Sequence, residues 1–498
     1  MGALRRLQQA TGGHKTRLSM TLFSALLLAA CASAPETAPP PAPPEIPVAF
    51  DAPAAHVNEA HDLRQWWRAW GDARMSALIE TALAASPDIH AAAARWQAAR
   101  EVVVQAHSAQ LPTVLLGAGV DAAAARLHGA GDWRTLAPPY SSALVRRHGT
   151  ALGADVALGA TWEFDVFGSL SATERAATAA ASAAAEKLHG AHTLLAGEVA
   201  RTWRQALALR RQQRTLEEGI ATAQQLLGYV NARFGAGQAN AADVDTAAAR
   251  VAHMQAARAP LAEQLAARGR LLAVLCGQAP QQPDAELASL LAFLNETDGA
   301  ATPPPAAPGG QHPATMLQRR ADVRARAAAV HAHAAQLEGA RADLLPRIGL
   351  DFLGASGQVR LTGLPDAGSS GALLGLRLTL PLFTAGRLQA RVREGDALLR
   401  AAALDFEGAV LHALREVEDA YAARLALEAR ISQLERALRD ARRAASRTQK
   451  LYAAGQKLRS DALAAQLAAQ QAQQALHEAQ AQRDAAAIAL YQALGGGW

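Results

Sequence analysis

Gly371-Ala372-Leu373-Leu374-Gly375-Leu376-Arg377-Leu378-Thr379-Leu380-Pro381 carries the sharpest pattern in the chain. In an extended chain Leu374, Leu376, Leu378 and Leu380 fall on one side, and Gly375, Arg377 and Thr379 on the other. At a spacing of 218 residues the phase recurs: Val156, Leu158, Ala160 and Trp162 alternate with Ala157, Gly159, Thr161 and Glu163. Two more candidate strands follow Leu-Pro pairs. Ile348, Leu350 and Phe352 alternate with Arg347, Gly349 and Asp351; Val114, Leu116, Ala118 and Val120 alternate with Leu115, Gly117, Gly119 and Asp121. Such strands fit a transmembrane barrel, although a half-buried sheet has the same period. Four strands cannot close a barrel, and open edges are not tolerated in lipid. If these strands cross a membrane, several chains must pool them.

The 218-residue spacing extends outward. It relates Gly168 to Gly386, Phe234-Gly235-Ala236-Gly237 to Tyr452-Ala453-Ala454-Gly455, and Leu272 and Gly277 to Leu490 and Gly495. Upstream, Asp88-Ile89 matches Asp322-Val323 and Leu111-Pro112 matches Leu345-Pro346, both at 234. The 16-residue difference places a longer loop in the first half, between Pro112 and Gly168, where Gly129, Gly131, Pro138, Pro139 and Gly149 lie. Each half reads helix, strand, loop, strand, long helix, turn, helix. The first repeat spans 58–301, a breaker-rich linker 302–313, and the second repeat 314–498.

Residues 170 to about 230, and 388 to about 450, contain no Pro and are dominated by strong helix formers. Sixty residues at ~1.5 Å each give a rod of roughly 90 Å. Apolar residues make up 50% of the 498, and aromatic residues only 4%, so close packing of Ala-rich helices replaces an aromatic core. Two cysteines exclude a disulfide-stapled scaffold. The net charge of +5 owes four charges to Arg5, Arg6, Lys15 and Arg17; without them about +1 remains, which argues for no nucleic-acid partner.

Those basic residues precede an apolar stretch, Leu18 to Ala30, that is too short to span a bilayer and ends in Leu28-Ala29-Ala30-Cys31. Residues 1–30 read as a signal whose ending resembles the bacterial lipobox, with cleavage before Cys31 and acylation of its thiol. No other cofactor is expected. Residues 31–57 form a tether, with seven prolines between Pro35 and Pro47. Position 32 is Ala rather than Asp, which favours the outer membrane.

An ordered set of short motifs carries a family resemblance over nearly the whole mature chain. It comprises Trp70-Gly71-Asp72, Leu78-Ile79, Ser86-Pro87-Asp88-Ile89 and Trp162-Glu163-Phe164-Asp165-Val166-Phe167-Gly168. It continues through Leu317-Gln318-Arg319-Arg320-Ala321-Asp322-Val323, Leu380-Pro381-Leu382-Phe383-Thr384-Ala385-Gly386-Arg387 and Glu416-Val417-Glu418-Asp419-Ala420, and ends at Leu490 to Trp498. The set resembles the TolC-like outer membrane efflux proteins, lipoprotein branch. Ala321 and Ser169 depart from the family's Pro and basic residue.

The resemblance implies a mainly α chain with a transmembrane β-barrel portion. In a homotrimer, four strands per chain make a twelve-stranded barrel, continued by a long periplasmic helical tube. It also implies an outer-membrane exit duct for small molecules, docked to a periplasmic adaptor and an inner-membrane pump. The inner end would close around the turns Arg233–Gly237 and Leu451–Gly455. Asp243 and Asp461, each six residues beyond a turn glycine, match positions facing the tube axis, where threefold symmetry makes carboxylate rings. Tyr452 and Lys457 match positions that bond across to the first-half acid. On this reading Asp243, Tyr452 and Lys457 form a closing latch, and Asp461 a selectivity ring. As solvated surface residues of two helix turns they would have no such role.

Other candidates point elsewhere. His331 and His333, two apart on a helix, face different ways and make a poor metal pair. Cys276 reads as a buried thiol; Trp66, Trp67 and Trp70 as packing residues; Glu416, Glu418 and Asp419 as a solvated face. No HExxH, Walker A, GxSxG or GxGxxG motif is present, so no enzyme is expected. Two alternatives remain at this point: a conduit for protein secretion, and a lipid-anchored coiled-coil envelope scaffold without a channel. The scaffold leaves the phase-matched strands unexplained.

Overall fold

The computed structural model describes residues 45–51, 63–126, 148–296, 302–361 and 366–497. The signal, Cys31, most of the tether, and Pro138 and Pro139 lie outside the described residues. The chain packs as two compact units, and each draws on both sequence repeats.

Among described residues, the first unit comprises 99–126, 148–181, 330–361 and 366–402. It holds an antiparallel four-stranded sheet of β1 (Thr113–Arg126), β2 (His148–Phe164), β3 (Arg347–Leu361) and β4 (Ala367–Thr379), in that order. The central β2–β3 pairing, from Ala151↔Leu361 to Phe164↔Ile348, joins the repeats. The connectors are 127–147 after β1 and 362–366 after β3, twenty-one residues against five, so the sixteen extra residues fall between paired strands. Leu337, Ala340 and Val392 form a small helical core in this unit.

The second unit comprises 45–51, 63–98, 182–296, 302–329 and 403–497. Helices α1 (Ala73–Ala85) and α2 (Pro87–Ser108) follow a short 3-10 turn, Trp66–Trp70. The long α3 (Ser169–Gly235) is followed by α4 (Ala241–Ala256), α5 (Arg258–Leu275) and α6 (Ala285–Glu296). In the second repeat come α7 (Pro313–Arg319), α8 (Ala321–Ala342), the long α9 (Arg387–Ala453) and α10 (Arg459–Ala493). The long helices run 67 residues each without a break. Their Ala-rich composition sustains helix over that length, while the run that follows α3 is divided at Ala257 into α4 and α5.

The resemblance motifs have physical reasons. Trp70 is buried, Gly71 takes φ 66° to close the 3-10 turn, and Asp72 caps α1 by accepting the N–H groups of Arg74 and Met75, both at 3.1 Å. Its other oxygen accepts the indole N–H of Trp203 at 2.9 Å. At the position 218 residues later, Tyr421 donates its hydroxyl to the Pro308 carbonyl at 2.5 Å. Two equivalent buried aromatics thus tie the long helices to the Asp72 cap and to the 302–313 linker. The linker 302–313 is strapped down rather than free: Arg424 bonds the Pro305 carbonyl, Arg204 the Thr302 carbonyl, and Gln311 is buried.

Trp66, Trp67 and Trp70 are all buried, with Trp66 stacked on Tyr491 at 5.2 Å between centroids. Cys276 is buried, and its thiol is pushed up to about 11, by desolvation first and Asp284 second. Glu416 and Asp419 are exposed and Glu418 is half-buried on α9, in keeping with a solvated face. Glu416 also accepts from Arg320 at 2.7 Å and Glu418 from the backbone N–H of Asp51 at 2.7 Å. Asp419 pairs within its helix with Arg415. Ala321 begins α8 without the family's Pro; Arg320 separates α7 from α8 and is held by Asp322 and Glu416.

Candidate functional site: sheet faces and tip turns

The strand register fixes which side chains share a face. Val114↔Ala160, Leu116↔Leu158 and Ala118↔Val156 pair across β1–β2. Ala160↔Phe352 and Trp162↔Leu350 continue the row, then Phe352↔Leu374, Leu350↔Leu376 and Ile348↔Leu378. The apolar phases of all four strands therefore coincide on one face. Leu116, Val120, Leu374 and Leu376 on it are each at least two-thirds exposed in the single chain. A sheet buried against its own protein would cover such a row, whereas a lipid-facing sheet leaves it bare. Toward the β3–β4 hairpin the face turns polar, at Ser356, Gln358 and Arg360.

The opposite face carries Asp121, Asp155, Glu163, Asp351, Arg347 and Arg377 among glycines and other small residues, and is crossed by one apolar row, Leu115, Leu353 and Leu373. Arg377 donates to Asp351 at 2.5 Å, and Arg347 pairs with Asp343 at 2.7 Å and approaches Glu163 at 3.9 Å. Asp155 lies across its neighbour strand: a Cβ at Gly119 would stand 2.7 Å from its Oδ1. The missing side chain at 119 makes that approach possible. Four carboxylates against two guanidiniums give this face a net negative charge. Below the sheet Asp343 accepts from Ser169, Arg347 and Arg391, and Asp165 caps α3 through Leu170 and Ser171.

The two tip turns repeat each other bond for bond. Gly237 N–H donates to the Phe234 carbonyl (2.9 Å) and Gln238 N–H to that of Arg233 (2.8 Å); Gly455 donates to Tyr452 (2.9 Å) and Gln456 to Leu451 (2.8 Å). Gly237 and Gly455 both take φ 71°, a left-handed value that ends the long helices and disfavours any side chain. Beyond each turn a carboxylate caps the helix that follows. Asp243 accepts the Asn240 N–H (3.2 Å) while Asn240 accepts the Asp243 N–H (2.9 Å), a complete capping box. Asp461 accepts the Leu458 N–H (3.3 Å), and Leu458 has no acceptor to return the bond.

All four gate candidates therefore sit at the turns. Asp243 and Asp461 occupy equivalent capping positions; Tyr452 and Lys457 flank Gly455. Among the described residues no hydrogen bond or ion pair joins any of the four to another within the chain. The capping role was missed in the sequence, though Asn240 and Asp243 three apart ahead of an Ala-rich run was a readable signal. The charged sheet face was half legible, since Arg377, Asp351 and Glu163 stand out of phase with the leucines. No described helix is long and apolar enough to cross a membrane, and no described group of His, Cys, Asp and Glu could hold a metal ion.

A sheet bare on its apolar face and charged on the other, carried by two 67-residue helices with matching turns, defines the protomer of an outer-membrane channel. The family model described as outer membrane efflux protein matches residues 78–278 and 313–496, and the chain belongs to that family. It is 30% identical to the pyoverdine export outer membrane protein OpmQ of Pseudomonas aeruginosa, over 96% of this chain and 97% of that one. It is 26% identical to the cation efflux system protein CusC of Escherichia coli, over 95% and 97%. The solved outer-membrane channel OprN superposes with a TM-score of 0.77 at 24% identity, covering 92% of this chain and 99% of the other.

Proposed function

We propose that this outer membrane efflux protein works as a homotrimer, anchored by an acyl chain on Cys31. Each copy lends four strands to a twelve-stranded barrel, with the apolar face toward lipid and the charged face toward the lumen. Small molecules handed over by an inner-membrane pump and periplasmic adaptor leave through it passively. The observation that carries this reading is the coincidence of four strand phases on one uncovered face, with β1 and β4 left as free edges. Pooling copies is the arrangement that satisfies those edges in lipid. The similarity to OpmQ and CusC supports efflux as the activity, and their differing cargoes argue that the fold leaves the exported compound open.

Asp243, Tyr452 and Lys457 act as the closing latch between neighbouring copies, and Asp461 as a ring that favours cations. The capping bonds hold both carboxylates in fixed positions at the start of α4 and α10, which supports their use as a ring. Replacing Asp243 and Lys457 together with Ala should raise ion leakage through reconstituted trimers; unchanged conductance removes the latch. Deleting the protein from its host should raise cellular retention of pump substrates, and Cys31→Ala should abolish the lipid mass on the mature N-terminus.

A further inference from the structure

On the charged face of the sheet one row breaks the pattern. Leu115, Leu353 and Leu373 stand at one height, aligned by the pairs Leu115↔Gly159, Gly159↔Leu353 and Leu353↔Leu373. From Arg347 at the foot of the sheet up to the row of Asp155, every other position on this face is Gly, Ala, Ser, Thr or charged. The row directly above, Gly117, Ala157, Ala355 and Gly371, shows that the sheet holds here without apolar bulk. Yet Leu115 and Leu373 are each 68% exposed and Leu353 49%. An eight-stranded barrel fills its interior with side chains, whereas a wider one leaves it open. In a twelve-stranded barrel these leucines face water, an unfavourable exposure that a bound apolar group relieves.

The gap in the row has a shape. Gly159 separates Leu115 from Leu353 by two strand spacings, about 10 Å between their Cα atoms. A Cβ built on Gly159 would meet nothing within 4 Å, so two leucines flank a bare floor. That floor continues along β2 through half-buried Ala157 to exposed Asp155, four residues and roughly 13 Å away. The Asp155 carboxylate lies across Gly119, and no cation pairs with it among the described residues. At the other end of the floor the charge is already taken, because Asp351, level with Thr161, accepts from Arg377 at 2.5 Å. The slot therefore has apolar walls at one end and an unpaired carboxylate at the other.

We propose that the β2 floor between Leu115 and Leu353 is a cargo site for small molecules that join a cationic group to an apolar chain, the cation at Asp155 and the chain over Gly159. The proposal rests on the trimeric barrel described above, with this face toward the lumen; the slot itself lies wholly within one chain's sheet. The test is block of single-channel current by alkyltrimethylammonium ions, with the full-length protein in a planar bilayer. Octyltrimethylammonium should block at a concentration at least about tenfold below tetramethylammonium, the worth of roughly two buried methylenes. Leu353→Thr keeps a strand-forming residue but removes an apolar wall, and should shrink that preference severalfold. Gly159→Leu fills the slot and should abolish the preference, while Asp155→Asn should weaken block by both ions alike. A wild type that conducts but is blocked equally by the two ions overturns the slot and leaves the barrel standing, whereas a wild type that never conducts removes the barrel reading itself. An undiminished octyl preference in Leu353→Thr, or a stronger one in Gly159→Leu, also overturns the proposal. Leu353→Thr decides even if Gly159→Leu fails to assemble.

Discussion

Leu376 and Gly375 are neighbours on β4 that point to opposite faces, so charging each in turn separates lipid from lumen. Leu376 is 74% exposed in the chain and stands beside Leu350 in the apolar row. A cation at such a position costs about 2–4 kcal/mol near the bilayer midplane, falling to about 0–1 at the interfaces. Threefold repetition makes that roughly 6–12 kcal/mol per assembled barrel. Leu376→Arg should therefore collapse the yield of heat-modifiable trimers in outer-membrane fractions, normalised to total protein. Gly375→Lys adds its charge to the face that already carries excess carboxylate. A Cβ there meets nothing nearer than the Asp351 carbonyl at 4.0 Å, an ordinary contact. It should assemble normally and reduce cation preference in conductance. The reasoning is refuted if Leu376→Arg assembles at wild-type yield, or if the two variants exchange phenotypes.

Asp484→Asn leaves buried Arg204 without its counter-charge and should cost about 3–5 kcal/mol in urea unfolding followed by circular dichroism. Gly455→Ala forces a side chain into φ 71° and should cost about 1–2 kcal/mol, whereas Gly408→Ala, in the interior of α9 with open space around it, should stabilise by about 0.5–1 kcal/mol. In native protein Cys276 should resist thiol reagents at pH 8, because its thiol is pushed up to about 11; labelling should appear only on unfolding. Burial raises the pKa of Asp165, but hydrogen bonds from Ser171, Leu170 and Ser169 outweigh it and hold the carboxyl below its ordinary 3.8. Its contribution is thus present above the unfolded value and lost as pH falls through the lower folded value. Asp165→Asn should show lower stability at neutral pH and a shallower acid limb in thermal melts below pH 4.

The fold was legible because two of its constraints act within a few residues. Period-two alternation can be read from Leu374 to Leu380 without knowing the partner strand, and the register then placed every such row on one face. The paired glycines at 168 and 386, 237 and 455, and 277 and 495 all take φ between 71° and 81°, so they recur where the backbone geometry recurs. What stayed hidden depends on long separations. Arg204 and Asp484 are 280 residues apart, and nothing local to either marks a buried pair. Tyr421 is one aromatic among helix formers until Pro308 is brought to its hydroxyl. Glu416 and Glu418 lie on a solvated face, but their added partners, Arg320 and the Asp51 backbone, come from other segments and leave no local mark. At the tip, Asp243 shows its own capping role locally, whereas a latch needs a neighbouring copy and leaves no imprint within one chain.

The most direct measurement is single-channel current across a planar bilayer to which the purified protein has been added from detergent. Pooled sheets with a charged lumen predict discrete, cation-preferring steps that vanish for Leu376→Arg. A membrane that stays electrically silent while the protein inserts in full, or steps that survive Leu376→Arg unchanged, would contradict a conducting barrel built from β1 to β4.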